Sequence, residues 1–307
     1  MKALAARAEL VARARRFFES RGFVEVETPA IVPCPGLDVH LDAFAVTPAE
    51  TPAAPPRYLA TSPEYQMKRL LADGHARIFQ ICRAYRAGEL GARHNPEFTI
   101  LELYRAGADV AAIMRDTEQL VAHLTGGAIS LGDRRVSTLP PFSRMPFVEA
   151  YRRFAGVDAD ETLRLARDDE DTLFRLLVDA VEPGLAALDH AVFVTDFPAT
   201  QASLARKSPS DPRFAERFEL YVAGVELCNG FGELTDPVEQ RARFEDDRAV
   251  RAAMGKVAYP IDERFVEALE RGLPPCAGNA IGLDRLVALA CGTTDIAPVM
   301  AFTADEL

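Results

Sequence analysis

The sequence predicts an α+β fold in which a mainly antiparallel β-sheet is flanked by helices. Two stretches, 78–104 and 216–234, each indicate a pair of strands, because apolar and polar residues alternate along them. Apolar residues recur at helical spacing over the N-terminus and much of 106–190. The chain has 307 residues, 49% of them hydrophobic, which is enough for a substantial core.

Composition argues against several classes of protein. The five cysteines lie far apart without a CxxC pair and the five histidines do not cluster, so neither a disulfide framework nor a zinc site is indicated. No apolar run approaches the roughly 18 residues of a membrane span, and charges interrupt the N-terminal stretch, so we expect a cytoplasmic protein without a membrane partner. The formal charge of −11 opposes broad contact with nucleic acid, whose binding depends on phosphate neutralisation.

An amphipathic helix is predicted at the N-terminus. Residues 3–21 carry apolar side chains at helical spacing, and Gly22 provides a C-terminal stop. The segment 23–31 alternates apolar and acidic residues until Pro29, which predicts a strand at a sheet edge. The proline-rich stretch 48–57 predicts a connecting loop.

A second helix is predicted after a short strand at 58–61. Ser62-Pro63-Glu64 opens this helix with a proline near its first turn, and Gly74 ends it. Glu64 fits a first-turn acid, a position that the helix dipole favours.

The stretch 78–104 predicts two strands joined by a loop rich in arginine. Guanidinium groups at the two ends of this loop, on Arg86 and Arg93, suit bidentate contact with phosphate. The predicted strands and loop are 78–85, 98–104 and 86–96.

The second of these strands carries polar groups on a face that would otherwise be apolar. A period of two places Phe98, Ile100, Glu102 and Tyr104 on one side, so that a carboxylate and a phenol project together. An ordinary hairpin with a solvated loop is one interpretation. The other is that this face lines a pocket.

The middle of the chain predicts helices and then a return to the sheet. The acidic run 168–171 fits a solvated helix face. Residues 191–197 predict a buried strand that Pro198 ends. The predicted helices are 106–124, 146–154 and 162–181.

A second hairpin is predicted over 216–234, with its turn at Ala223-Gly224. Glu219, Glu226 and Glu233 fall on or beside its strands, where acids are depleted. A solvated sheet face could hold three acids. Alternatively, two carboxylates hold Mg²⁺ on a nucleotide and the third meets a cationic substrate.

The last informative stretch, 274–292, places small residues ahead of a helix that begins near Leu283. Gly278, Ala280 and Gly282 would let the backbone approach a ligand closely, and a helix N-terminus favours phosphate.

Three stretches, in this order, resemble the sequence motifs of the class II aminoacyl-tRNA synthetases. The resemblance implies a single catalytic domain over 1–307 with a mostly helical insertion at about 106–190, and a homodimer formed through motif 1. The matching residues are Arg21, Gly22, Phe23, Val26 and Pro29 for motif 1, RAYRAG and RHNPEF at 83–98 for motif 2, and G-x-x-x-G-x-D-R-L at 278–286 for motif 3.

The lysyl branch of that family is indicated by SPE, by HNPEF followed by ELY, and by E-L-x-N-G-F-x-E-L. The implied amino-acid pocket comprises Ser62, Pro63, Glu64, Arg86, Glu102, Tyr104, Asn229, Phe231, Glu233 and Ala280. The implied ATP contacts are Arg86, Gly88, Arg93, Asn95, Phe98 (stacking on adenine), Glu226, Leu227, Gly282 and Arg285. Glu219 and Glu226 would hold Mg²⁺, and Arg86 and Arg285 would be catalytic.

Several features depart from a tRNA-charging enzyme. Motif 1 begins near Met1, so we expect no anticodon-binding domain and no tRNA partner. Ser62 and Ala280 replace the usual alanine and glycine, as in the short lysyl paralogues that attach β-lysine to a lysine of elongation factor P. Gly88 replaces the motif 2 glutamate that receives the adenine amino group, a role left to Glu89 or a backbone carbonyl.

The resemblance implies a two-step reaction. The ionised carboxylate of the substrate attacks the α-phosphorus of ATP without a general base, and a lysine amine of the partner protein then attacks the adenylate. Two alternatives remain at this stage. One is a lysine-activating enzyme that charges tRNA or makes a small amide, and the other is a non-catalytic regulator.

Overall fold

The computed structural model describes residues 2–49, 55–202 and 204–307. Its helices are α1 (Leu4–Glu19), α2 (Glu64–Ala72), α3 (Val110–Thr125), α4 (Phe147–Ala155), α5 (Ala159–Asp168), α6 (Glu170–Leu176), α7 (Glu182–Ala186), α8 (Pro237–Ala253), α9 (Glu263–Gly272) and α10 (Leu283–Ala290). Its strands are β1 (Val24–Glu25), β2 (Ile31–Val32), β3 (Ala45–Val46), β4 (Arg57–Leu59), β5 (Arg77–Tyr85), β6 (Glu97–Ala106), β7 (Ala128–Leu131), β8 (Arg134–Ser137), β9 (Ser143–Pro146), β10 (Val192–Pro198), β11 (Phe214–Val222), β12 (Val225–Gly232) and β13 (Cys276–Gly282).

Eight strands form the central sheet, in the order β1-β5-β6-β13-β12-β11-β10-β9. The outermost pairs, β1 with β5 and β9 with β10, are parallel, and the other pairs are antiparallel. Two small sheets, β2-β4-β3 and β7-β8, lie outside it. The predicted α+β class, with a mainly antiparallel sheet and flanking helices, is confirmed.

Helices cover one face of the sheet fully and the other only in part. On the first face α1, α3 and α10 pack against strand residues such as Leu101, Leu103 and Leu220. On the second face α2, α8 and α9 form one apolar cluster with Ile78 and Tyr104, and α4 to α7 form another with the β10–β11 pair. The cavities described below lie on this second face.

Three predicted elements have different bounds in the structure. The strand expected over 23–31 is wrong: only β1 and β2 form there, and Val24 at the sheet edge is 57% exposed. The helix expected from residue 106 begins instead at Val110, because β6 runs on to Ala106 and Asp109 caps the helix with its side chain.

The third difference is in the helix expected over 162–181. Asp169 leaves the helical conformation with φ −153° and accepts a hydrogen bond from the Thr172 amide, so it ends α5 and begins α6. A short π-helical turn over Leu177–Val181 then leads into α7. The acidic run 168–171 is exposed, as predicted.

The segment between 106 and 190 also contains strands that the sequence did not predict. The hairpin of β7 and β8 follows α3, and β9 joins the edge of the central sheet. Part of the predicted proline-rich loop, 50–54, lies outside the described residues. Within the described part of the chain, no helix is both long enough and apolar enough to cross a membrane.

Candidate active site

Four side chains form a row across the partly covered face of the central sheet. Glu219 on β11 lies opposite Asn229 on β12, Asn229 opposite Ala280 on β13, and Ala280 opposite Glu102 on β6. Directly paired residues of adjacent strands project from the same face. Residues far apart in sequence are thus brought into one row.

A β-bulge adds Glu226 to this face. The register between β11 and β12 shifts so that Leu220 pairs with Cys228 but Tyr221 pairs with Glu226. In a regular strand Glu226 and Asn229 would point to opposite faces, because their separation is odd. The bulge at Leu227 places both on the Glu219 side.

Three adjoining cavities lie over this row, and Arg86 and Asn229 line all three of them. The oxygen Oδ1 of Asn229 is buried and has no hydrogen-bond partner among the described residues. It is therefore available to a ligand. Below, the cavity lined by Arg93, Phe98 and Arg285 is called the arginine cavity, and the one lined by Ser62, Glu64 and Glu102 the acidic cavity. The cavity lined by Asp38, Glu219 and Asp247 is called the outer cavity.

The arginine cavity lies between the 86–96 loop and the start of α10. Arg285 is fixed there by hydrogen bonds that it donates to the carbonyl oxygens of Arg93 at 3.1 Å and Glu226 at 2.9 Å. The guanidinium of Arg86 stacks over the Phe98 ring at 4.9 Å. Fixed guanidinium groups beside an aromatic ring suit a nucleotide with its phosphates.

His94 is a third hydrogen-bond partner of Arg285. The Arg285 guanidinium donates to Nε2 of His94 at 2.7 Å, which requires a neutral imidazole with its proton on Nδ1. Burial and the charge of Arg285 lower the pKa of His94, in agreement with this form. His94 thus helps to fix the arginine of motif 3.

The acidic cavity is centred on Glu102, whose side chain is fully buried. Its carboxylate accepts hydrogen bonds from Ser62 Oγ at 2.6 Å and from the Tyr104 hydroxyl at 2.9 Å. Burial, and next the nearby charge of Glu64, raise the pKa of Glu102 to about 7. An acid held in this way is suited to meeting a cation.

Glu64 and Glu233 are joined by a lysine that lies between them. Nζ of Lys68 is 2.6 Å from Oε1 of Glu64 and 2.5 Å from Oε2 of Glu233. The other oxygen of Glu233, Oε1, is buried without a hydrogen-bond partner among the described residues. Burial raises the pKa of Glu233 to about 8, against the opposing effect of Lys68.

Gly278 is required for the floor of this cavity. A Cβ at this position would lie 2.2 Å from the Tyr104 ring and 2.8 Å from Oε1 of Glu233. Phe231 pairs with Gly278 across β12 and β13 and lines the same cavity. Gly278 thus leaves room for side chains of neighbouring strands, and the close approach of a ligand to this backbone stays a prediction.

The outer cavity contains the two carboxylates predicted to hold metal. Glu219 accepts hydrogen bonds from Arg217 at 2.6 Å and the Tyr221 hydroxyl at 2.8 Å. Burial raises the pKa of Glu219, and the charge of Glu226 adds to that increase. A divalent cation between the two would relieve this repulsion, so the donor chemistry fits Mg²⁺.

No group of three or more metal-binding side chains occurs among the described residues. A Mg²⁺ ion at Glu219 and Glu226 would therefore take its remaining ligands from phosphate oxygens and water, which is how this ion binds in nucleotide sites.

The structure brings most of the sequence-predicted residues to these cavities. Ser62, Glu64, Glu102, Asn229, Phe231 and Ala280 line the acidic cavity. Arg86, Arg93, Asn95, Phe98, Glu226, Leu227, Gly282 and Arg285 line the arginine cavity.

The remaining predicted residues lie behind or outside the lining. Tyr104 and Glu233 support the acidic cavity through Glu102 and Lys68. Pro63 is the residue before α2, and Gly88 is exposed with φ +83° in a turn near the start of the loop. The side-chain amide of Asn95 already has two hydrogen-bond partners in the chain: Nδ2 donates to the Glu97 carbonyl, and Oδ1 accepts from the Ala304 amide.

Sequence reasoning missed three residues that shape the site. Lys68 contacts Glu64 and Glu233, and His94 contacts Arg285, all of which are predicted site residues. Asp284 accepts from the Thr99 amide at 2.6 Å and pairs with Arg7 at 2.5 Å, which ties α10 to β6 and α1. A signal was present for Lys68 alone, since it lies four residues after Glu64 on a predicted helix.

Comparison with known proteins agrees with this geometry. A family model described as tRNA synthetases class II (D, K and N) matches residues 1–306. The chain is similar to the elongation factor P–(R)-beta-lysine ligase of Klebsiella pneumoniae (strain 342), with 43% identity covering 98% of this chain and 94% of the relative. The ligase of the same name from Salmonella paratyphi B matches with the same identity and coverage. The chain belongs to the class II tRNA synthetase family.

Proposed function

We propose that this protein activates (R)-β-lysine with ATP as an adenylate and joins it to a lysine side chain of elongation factor P. The observation that carries the proposal is the acidic cavity beside the arginine cavity. Three buried or partly buried carboxylates, Glu64, Glu102 and Glu233, face one internal ammonium, that of Lys68. A substrate with two ammonium groups would balance the two remaining charges.

The activation step follows from the order of the cavities. The substrate carboxylate would lie near Arg86, where the acidic and arginine cavities meet. It would attack the α-phosphorus of ATP in line and break the bond to pyrophosphate, which leaves. Arg86 and Arg285 would neutralise the charge that develops on the phosphates. Glu219 and Glu226 would hold Mg²⁺, which would supply further charge neutralisation.

In the transfer step, a neutral lysine amine attacks the adenylate carbonyl and releases AMP. The outer cavity offers access to that carbonyl, because it meets the other two cavities at Arg86 and Asn229. Its acidic lining includes Asp38 and Asp247, and burial raises the pKa of Asp247 to about 6. Such acids would attract the cationic side chain of the acceptor.

The curated relatives support this proposal by their names, which state both the amino acid and the protein acceptor. Retention of Arg86, Arg285, Glu219 and Glu226 in the cavities speaks against a non-catalytic regulator. We propose further that the protein works as a homodimer in the cytoplasm and does not use tRNA.

The proposal is tested by incubating the purified protein with ATP, (R)-β-lysine and elongation factor P. Mass spectrometry should show the addition of one β-lysyl group to a lysine of the acceptor. Acceptor protein with methylated lysines is the control and should stay unmodified. No addition to the unmethylated acceptor would contradict the proposed function.

A further inference from the structure

Lys68 is a lysine without solvent access at the back of the acidic cavity. It follows Glu64 by four residues on α2, so both side chains leave the same face of the helix. Its side chain is 0% exposed, and its ammonium contacts one oxygen of Glu64 and one of Glu233. A buried cation is unfavourable unless it is paired, so both contacts are needed to hold it there.

An ion pair of this kind could serve only to join α2 to the end of β12. Two observations indicate more than that. Glu64 is 17% exposed and lines the cavity, and Glu233 keeps a buried oxygen, Oε1, with no hydrogen-bond partner in the described part of the chain. Lys68 therefore uses one oxygen of Glu64 and leaves the other, on a side chain that lines the cavity, for a ligand.

We propose that Lys68 is a positioning residue for the amino-acid substrate. Its ammonium fixes Glu64 so that this carboxylate presents its second oxygen to one ammonium group of the substrate, while Glu233, behind the cavity lining, holds Lys68 in place. The inference rests on the proposed function, because it requires an amino acid with two ammonium groups.

The charge of Lys68 sets how many cations the cavity can take. Glu64, Glu102 and Glu233 carry at most three negative charges, and Lys68 cancels one of them. Burial acts to lower the pKa of Lys68, but Glu233 and Glu64 outweigh it and raise that pKa, so the ammonium stays charged. The other titratable groups that face this pair are Tyr104 of β6 and Cys276 of β13.

The test replaces Lys68 with an uncharged side chain and follows pyrophosphate exchange into ATP. In Lys68→Met, KM for β-lysine should rise by about 100-fold, while kcat and KM for ATP change little. The reason is that only the glutamates of the amino-acid site lose the support of Lys68. The acid limb of kcat/KM against pH should also move up by about one unit, since Glu102 and Glu233 lose a cation that lowers their pKa values.

A second variant covers the case in which Lys68→Met does not fold. In Lys68→Gln the amide can donate to Glu64 and accept from protonated Glu233, so the fold is kept without the charge. The same changes in KM and in the acid limb are expected. Arg69→Met, on the same helix, is the matched control and should leave both unchanged.

The outcomes separate this inference from the proposed function. Folded Lys68 variants that keep the wild-type KM and acid limb, with only a lower melting temperature, would show that the ion pair is structural and overturn the inference. Wild-type protein that exchanges with neither β-lysine nor α-lysine would contradict the proposed function and remove the inference with it.

Discussion

The hydroxyl of Ser62 donates a 2.6 Å hydrogen bond to Oε1 of Glu102, across the junction between α2 and β6. The same hydroxyl accepts from the Glu64 amide at 3.0 Å. Ser62 therefore links the first turn of α2 to the most buried acid of the candidate site. With the 2.9 Å bond from Tyr104, it fixes both oxygens of Glu102 in a cavity that otherwise disfavours the charge.

Glu102→Gln should separate activity from stability. We expect KM for the amino acid to rise by on the order of 100-fold, because one ammonium partner is lost. The ordinary pKa of a glutamate is 4.5, and that of Glu102 is raised in the folded protein. Above pH 4.5 the unfolded chain therefore loses this proton more readily than the folded protein does, which lowers the stability of the wild type. The variant should therefore be more stable than wild type at pH 8, by on the order of 1 kcal/mol, and equal to it below about pH 4.5.

Thermal unfolding at both pH values, together with pyrophosphate exchange, checks this prediction. A variant that loses stability at pH 8 would indicate that ionised Glu102 supports the fold and that the cavity is structural.

Activity should depend on pH through the acidic cavity. The pKa of Glu102 is raised to about 7 and that of Glu233 to about 8, and a protonated carboxyl cannot pair with an ammonium group. We therefore expect kcat/KM for the amino acid to fall about tenfold per unit as the pH drops below 8, and more steeply below 7, where both carboxyls take up protons. KM for ATP should change less over this range, because the arginines that would contact its phosphates do not titrate there. A flat profile down to pH 5 would contradict this account.

Arg285→Ala should abolish adenylate formation while leaving the fold intact. Loss of a phosphate-binding guanidinium is expected to slow exchange by on the order of 1000-fold. The hydrogen bonds from Arg285 to the Arg93 and Glu226 carbonyls suggest a stability loss of only about 1 kcal/mol. Arg83→Ala, on an exposed part of β5, is the control. Collapse of thermal stability in Arg285→Ala would show that its role is structural.

The edge of the sheet near α1 predicts a dimer. Val24 and Ile31, on the two short strands of the motif 1 segment, are 57% and 54% exposed, so a second copy of the chain could cover them. The protein should sediment as a dimer at micromolar concentration, and Ile31→Glu should convert it to a monomer. Val238→Glu, at a 77% exposed position on α8, should stay dimeric. A wild-type monomer with full activity would contradict the prediction.

Ala280 should set the preference between the two lysine isomers. It lies opposite both Asn229 and Glu102 in the sheet, and it lines the acidic and arginine cavities. Its methyl group narrows the floor where the amino group nearest the carboxylate would lie. Ala280→Gly should therefore shift the ratio of kcat/KM toward α-lysine by on the order of tenfold or more.

Ala277→Gly provides a matched control for that variant, because Ala277 is on the same strand but buried in the core of the other face. It should cost about 1 kcal/mol of stability and leave the isomer ratio unchanged. Equal ratios in wild type and Ala280→Gly would show that Ala280 does not determine specificity.

The sequence predicted those parts of the site that depend on local pattern. The alternation in β6 placed Glu102 and Tyr104 on one face, and the turn at Ala223-Gly224 placed the second hairpin. The resemblance to motifs 2 and 3 identified Arg86 and Arg285, which both line the arginine cavity.

Other parts depend on long-range pairing that local patterns do not contain. The bulge that brings Glu226 beside Glu219 arises from the register between β11 and β12. The contact of Lys68 with Glu233 joins α2 to the end of β12, two elements far apart along the chain. The long helix expected over 162–181 breaks at Asp169. The side chain of this aspartate accepts a hydrogen bond from the Thr172 amide and starts a new helix, although the apolar spacing around it is that of a continuous helix.

Pyrophosphate exchange into ATP, measured for the wild-type protein with (R)-β-lysine and with α-lysine, tests the central claim most directly. We predict exchange with both amino acids and a higher kcat/KM for β-lysine, because the acidic cavity fits two ammonium groups and Ala280 narrows its floor. A higher kcat/KM for α-lysine would contradict the proposed amino acid, and exchange with neither would contradict amino-acid activation itself.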